Sequence, residues 1–158
     1  EQHLRAGTES VPLIVGFASA LTKAERMRAQ ESARLCDLRD FFIDRLLKKI
    51  PQAMLNGHPT DRLPNNIHVS IPYIEGESIL LMLDKHRIEA STGSACSAYD
   101  LQPSHVLLAL GQNAELAHGS IRFTLGRNTT KEELEYVLSI FPGIVERLTR
   151  LSALTATI

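Results

Sequence analysis

The chain has 158 residues, with 17 Lys and Arg against 18 Asp and Glu, so its net charge of −1 excludes the basic footprint of a nucleic-acid or membrane-surface binder. A composition of 44% hydrophobic and 22% charged residues excludes a disordered chain, and this length suits one domain with a real core. No apolar run reaches the ~20 residues of a membrane span, the N-terminus is not a signal peptide, and the two cysteines, Cys36 and Cys96, make no disulfide framework; a reducing, cytoplasmic setting is the expectation. The start, Glu1-Gln2-His3-Leu4-Arg5, carries no Met and reads as the interior of a longer protein.

Residues 1–8 are polar and include Gly7, which predicts a loop. Thr8 or Ser10 can cap the helix that follows, and Pro12 suits its first turn. Val11, Ile14, Val15, Ala18 and Leu21 recur at helical spacing, and Leu35, Leu38, Phe42, Leu46 and Ile50 continue the pattern. Between them Lys23 to Arg34 is highly charged, a solvated face. One very long helix, or two with a bend near residues 24–32, fits this stretch. Pro51 ends it. A short strand at Met54-Leu55 runs into a turn at His58-Pro59-Thr60-Asp61. A clear strand follows at residues 66–71, with Ile67, Val69 and Ile71 alternating. Glu75 opens a helix to about His86, and Ile88 to Ser91 is the next strand. After a small-residue loop, Pro103 or Ser104 starts a short helix ending at Gly111, and Asn113 caps another turn. Ser120 to Gly126 is a strand with Ile121, Phe123 and Leu125 on one face and Arg122 and Thr124 on the other. Thr129-Thr130-Lys131-Glu132-Glu133 reads as a capping box. The last helix carries Leu134, Val137, Leu138, Phe141, Val145 and Leu148, and Pro142 predicts a kink or a split. The tail, residues 152–158, is expected to fray. The fold class is α+β: a two-layer sandwich, with a small, mostly antiparallel sheet of three to four strands and helices on one face.

Chemistry centres on Ser91-Thr92-Gly93-Ser94-Ala95-Cys96-Ser97-Ala98. Small residues with a glycine have nothing to pack and move cheaply, which suits a presented thiol rather than a core. Residues 92–100 are therefore expected to be poorly ordered. A thiol of ordinary pKa ~8.5 is mostly protonated at neutral pH unless a cation or helix N-terminus helps. Arg87, His105 and Arg122 are the cations within reach in sequence or by strand pairing. On the thiol alone, an inert linker cysteine is the simpler reading. A Cys-His hydrolase using His105 or His118, or a metal site joining both histidines to Cys96, has no support in the spacing. Cys36 reads as a small packing residue of the helix. Arg122 projects from the strand face opposite the core, where its planar fork suits a carboxylate. From spacing alone, a surface Arg paired with a glutamate is the simpler reading.

The Cys96 segment followed by Leu101-Gln102-Pro103-Ser104-His105-Val106-Leu107-Leu108-Ala109-Leu110-Gly111 resembles the active-site loop and next helix of group I cysteine desulfurases, the NifS-like enzymes. Arg5-Ala6-Gly7-Thr8-Glu9, Ile74-Glu75-Gly76-Glu77-Ser78, Leu116-Ala117-His118 and Ser120-Ile121-Arg122-Phe123-Thr124-Leu125-Gly126-Arg127 resemble that family in the same order. The resemblance covers essentially the whole chain.

That resemblance implies a homodimeric, pyridoxal-phosphate-dependent enzyme of the fold-type I, class V aminotransferase superfamily. Such an enzyme converts L-cysteine to L-alanine and keeps the sulfur as a persulfide, here on Cys96, for an iron–sulfur scaffold or another acceptor. Arg122 would hold the substrate carboxylate, and Thr8 would reach the cofactor phosphate across the dimer; no metal, nucleic acid or membrane is implied. The family's cofactor lysine lies in a Ser-x-His-Lys context, which none of Lys23, Lys48, Lys49, Lys85 and Lys131 has. The expectation is a C-terminal portion: residues 1–10 a linker from a missing cofactor domain, residues 11–158 the small domain, with no cofactor bound by this portion alone. Two other readings are a stand-alone partner-binding or sulfur-carrier module, and a selenocysteine lyase.

Overall fold

The computed structural model describes residues 7–92 and 103–152. The elements run α1 (Val11–Lys49), β1 (Met54–Leu55), β2 (Asn66–Ser70), α2 (Gly76–Asp84), β3 (Ser91–Thr92), α3 (His105–Ala109), α4 (Ala114–His118), β4 (Ser120–Thr124) and α5 (Lys131–Leu151). The strands form one sheet in the order β1-β2-β4-β3, antiparallel at every pairing. The α+β expectation holds, with α1, α2 and α5 on one face of the sheet. The short helices α3 and α4 pack on each other, and α4 also contacts β2.

The centre of the sheet is the β2–β4 ladder, in register from Asn66↔Thr124 through Ile67↔Phe123, His68↔Arg122 and Val69↔Ile121 to Ser70↔Ser120. Side chains alternate across a pleated strand, so one face takes Ile67, Val69, Ile121 and Phe123. All four are buried in the core. Phe123 sits between Phe42 of α1 and Phe141 of α5, at ring-centroid distances of 5.4 and 5.6 Å in edge-to-face geometry. That arrangement matches the ring quadrupoles and ties three elements together.

Helix α1 is a single helix of 39 residues without a break at 24–32. Its second half buries Leu35, Phe42, Ile43 and Leu46. Its first half is not buried: Val11, Leu13, Ile14, Val15, Phe17 and Leu21 are 55–73% exposed. Periodicity marks an apolar flank but does not supply its neighbour. Ser10 is the N-cap residue, although its side chain makes no capping bond.

Helix α5 opens with the predicted capping box, in which Thr130 and Glu133 bond each other's backbone N–H. The expected split at Pro142 does not occur, and α5 runs unbroken to Leu151. An interior proline costs ~3 kcal/mol. Burying Phe141, Ile144 and Val145 beside it returns ~1.5–3 kcal/mol each, so packing wins.

The strand expected at Ile88–Ser91 begins only at Ser91. The preceding residues complete the end of α2 instead: Arg87 takes a positive φ of 57°, and the N–H groups of Arg87 and Ile88 donate to the carbonyls of Asp84 and Leu83. Gly119 fixes the start of β4. A Cβ there would lie 2.2 Å from the Ile71 carbonyl oxygen, so only glycine admits this approach. The expectations for residues 93–100 and for the tail beyond Ser152 fall outside the described residues.

Adjacent residues of β4 should therefore differ sharply. Phe123→Ala should lower unfolding free energy by about 4 kcal/mol in a urea titration. Thr124→Ala, on the exposed face, should change it by less than ~0.5 kcal/mol. Similar losses would mean that β4 does not alternate between core and open face.

Candidate functional site

The second face of the sheet is polar. Beside the core residues, the same pleat turns Asn66, His68 and Ser70 of β2 and Ser120, Arg122 and Thr124 of β4 to this side. None of the six is acidic. At one end this face is closed by a side-chain network. Asn56 Nδ2 donates to Ser70 Oγ at 2.9 Å, Ser70 Oγ donates to Gln112 Oε1 at 3.2 Å, and Gln112 Nε2 donates to Asn56 Oδ1. The network seals the β1 side of the sheet; Arg122 lies toward the β3 side.

Arg122 is half-buried, and β3 runs beside it in the register Ser91↔Arg122. Its Nη2 donates to Ser91 Oγ at 3.5 Å, the outer limit of a hydrogen bond. It joins no ion pair among the described residues. The expected alternative, a surface Arg neutralised by a glutamate, is thus not what these residues form. Two other arginines, Arg34 and Arg39, are instead held by acids and backbone carbonyls. Arg34 binds Glu31 and the carbonyls of Gly126, Arg127 and Thr129, and Arg39 binds Asp40 and the carbonyls of Arg62 and Leu63. A planar fork left with its donors free is poised for a carboxylate.

Two further residues belong to this site. His68 stands directly across the ladder from Arg122, and its Nε2 is buried without a hydrogen-bond partner. Arg62 donates Nη2 to the Asn56 carbonyl at 2.9 Å, while its Nε and Nη1 are buried and unpartnered. Burial first, then the charges of Arg122 and Arg62, pushes the His68 pKa down to about 4. The imidazole is therefore neutral at physiological pH. Burial likewise lowers Arg62, helped by the nearby Arg39 charge. Sequence reasoning overlooked His68 and Arg62. The signal for His68 was present: it alternates with Ile67 and Val69, so it shares the face of Arg122. Nothing local marks Arg62, whose place depends on the turn that returns residues 57–65 to the sheet.

The predicted site residues fare differently. Cys96 lies outside the described residues. Thr8 is exposed and precedes α1, whose rise of ~1.5 Å per residue puts its first turn about 36 Å along the helix from Leu35, the first buried residue of α1. The structure therefore does not bring Thr8 together with Arg122. His105 and His118 are exposed on α3 and α4, and no cluster of three His, Cys, Asp or Glu side chains among the described residues could hold a metal. Cys36 is half-buried on α1, beside Arg39. No helix among the described residues is long and apolar enough to cross a membrane.

The fold is shared with NifS-like proteins of known structure. One "NifS-like protein" superposes with a TM-score of 0.77 at 31% identity, over 92% of this chain and 36% of that one. Another, from Rickettsia africae, gives 0.75 at 28% identity, over 90% and 37%. The family model "Aminotransferase class-V" matches residues 1–137, and the chain belongs to the class-V aminotransferase family. Among curated relatives, "Cysteine desulfurase IscS 1" of Archaeoglobus fulgidus is 52% identical over 98% of this chain. "Cysteine desulfurase IscS" of Dictyoglomus turgidum is 52% identical over 96%, and that of Methanosarcina thermophila 50% over 98%. The chain spans about two fifths of the length of these relatives (40, 39 and 38%).

The family's cofactor is pyridoxal phosphate, whose aldehyde needs an amine to hold it. All five lysines of this chain are exposed, and none lies on β2, β3 or β4. Lys48 is paired with Asp44, and Lys131 lies 4.7 Å from the centre of the Phe41 ring. The described residues offer an arginine without an acid partner but no amine beside it, so this chain does not by itself fit the cofactor.

His68 gives this face a measurable pH signature. Its folded pKa is below its ordinary value near 6.5, so the unfolded chain binds more protons between about pH 6.5 and 4. Its contribution to stability is complete above about pH 6.5 and is lost as pH falls toward 4, an effect of up to roughly 3 kcal/mol. NMR titration of the imidazole should give a midpoint near 4, and His68→Asn should flatten the fall in unfolding free energy across this range. A midpoint near 6.5 would contradict the burial described here.

Proposed function

We propose that this chain is the sulfur-accepting and substrate-gripping portion of a pyridoxal-phosphate-dependent cysteine desulfurase. The net reaction takes L-cysteine and the Cys96 thiol to L-alanine and a Cys96 persulfide. A sulfur–sulfur bond forms, the substrate's carbon–sulfur bond breaks, and the carbon gains a proton, so the step needs no external oxidant. Arg122 grips the substrate α-carboxylate. The observation that carries this reading is that Arg122 is half-buried, unpaired by any described acid, and flanked by the strand that leads into the Cys96 loop. Cys96 lies four positions beyond Thr92, and such a length of chain extends no further than ~14 Å.

The relatives named cysteine desulfurase, at 50–52% identity over nearly all of this chain, support the same assignment. The cofactor amine belongs to a further domain in this reading, with residues 1–10 as the linker to it and residues 11–158 as the small domain. The exposed apolar flank of α1 from Val11 to Leu21 is the surface such a domain would cover. Thr8 stands far along α1 from this chain's own Arg122, which suits a contact with cofactor phosphate in the second subunit of a homodimer. The persulfide then passes to an iron–sulfur scaffold or another acceptor in the cytoplasm, where a reducing environment keeps Cys96 free between turnovers.

The test uses the complete protein that carries this chain. After exposure to L-cysteine, alkylation and peptide mass spectrometry should find the extra sulfur on Cys96 and none on Cys36. Cys96→Ser should lower sulfide release at least ~10³-fold, while Cys36→Ser should leave it within about twofold. Retained turnover in Cys96→Ser, or sulfur on Cys36, would contradict the assignment.

A further inference from the structure

We propose that His68 is a positioning and specificity-determining residue of the Arg122 site: as the neutral cross-strand partner of Arg122, it keeps that guanidinium unpaired and available to a ligand carboxylate. The inference rests on the reading of Arg122 as a carboxylate grip.

The register puts His68 directly opposite Arg122. Directly opposed side chains on one sheet face have Cβ atoms ~4.5–5.5 Å apart, and opposite charges there attract while like charges repel. A carboxylate at position 68 would occupy the arginine fork, leaving nothing for a ligand. A lysine would repel the guanidinium. An uncharged imidazole fills the position, excludes water from one side of Arg122, and leaves its charge uncancelled.

The groups facing His68 are cationic from both sides. Arg122 comes from β4, Arg62 from the turn before β2, and no acidic group acts on the ring. Arg62 shows the same design: two of its donor atoms are buried and unpartnered, as is Nε2 of His68. Buried polar atoms without a protein partner are uncommon in folded proteins. The neutral ring of His68 thus stands among cations, with Arg122 opposite it on the face and Arg62 close by. That combination raises the local concentration of a carboxylate-bearing ligand and gives it a single fork to dock on.

Two measurements test this. In the first, His68 is titrated by NMR in the full chain, without need of activity. Arg122→Gln removes a facing cation and should raise the His68 pKa. The Arg122 Nε–H resonance should respond to sodium acetate in the native chain and in His68→Asn, but not in His68→Asp, where the new carboxylate occupies the fork. An unchanged His68 pKa in Arg122→Gln, or a native-like acetate response in His68→Asp, would overturn the proposal. In the second, His68→Asp in the holoenzyme should raise KM for L-cysteine about 10–100-fold with little change in kcat, and His68→Asn should recover most of the loss. A native-like KM in folded His68→Asp would also overturn it. A native holoenzyme that makes no alanine from cysteine would overturn the desulfurase reading instead, and the NMR arm would still decide the role of His68.

Discussion

The position of Phe123 between Phe42 and Phe141 is the contact on which the rest of this architecture depends. It joins the middle strand of the sheet to the long first helix and to the last one. Because a strand alternates its side chains with a period of two, burying Phe123 forces Arg122 to the opposite face. The hydrophobic core thus aims Arg122 at the open face. The β2–β4 register then places His68 against it, and β3 adds Ser91 on its other side. No loop needs to be rigid for this part of the site to be preorganised.

The arginines of the chain separate by what satisfies them. Arg34 and Arg39 are structural: their donors are taken up by carboxylates and backbone carbonyls that hold the 126–129 and 62–63 segments in place. Arg62 and Arg122 keep donors free, and β2 and β4 present no acid on the face of Arg122. Leaving a guanidinium without a counter-charge in a half-buried setting costs stability, since desolvation is not repaid by pairing. Folds keep such groups where a ligand supplies the missing charge, and a carboxylate fits the geometry of the fork. The neutral His68 avoids a further charge beside them.

Much of this was legible in the residues, and the exceptions have physical causes. The alternation in β2 and β4, the capping box at Thr130 and Glu133, and the Asn113 cap are local signals, and each element formed where its signal lay. Of the kink or split that Pro142 allowed for, the split did not form because the burial of its neighbours outweighs the local rule. The third strand was displaced because the end of α2 used the backbone of residues 86–88 for its own closing turn. The apolar flank of α1 at Val11–Leu21 follows helical spacing, yet no described element covers it. The site was half legible. Arg122 stood out as a polar residue in an apolar strand, whereas Arg62 required the register and the turn that no single segment encodes. The chemical role of Cys96 came from likeness to a family rather than from physics, which could say only that a thiol sits among small residues.

The central claim is that Arg122, held outward by the burial of Phe123, recognises an α-carboxylate. The most direct measurement compares kcat/KM for L-cysteine with that for cysteamine, which lacks the carboxylate, in the complete protein and in its Arg122→Ala variant. The account predicts that the native protein prefers L-cysteine by ~10² or more and that the variant loses most of this preference by losing activity on L-cysteine alone. An undiminished preference in the folded variant would show that the carboxylate is held elsewhere and would contradict the account.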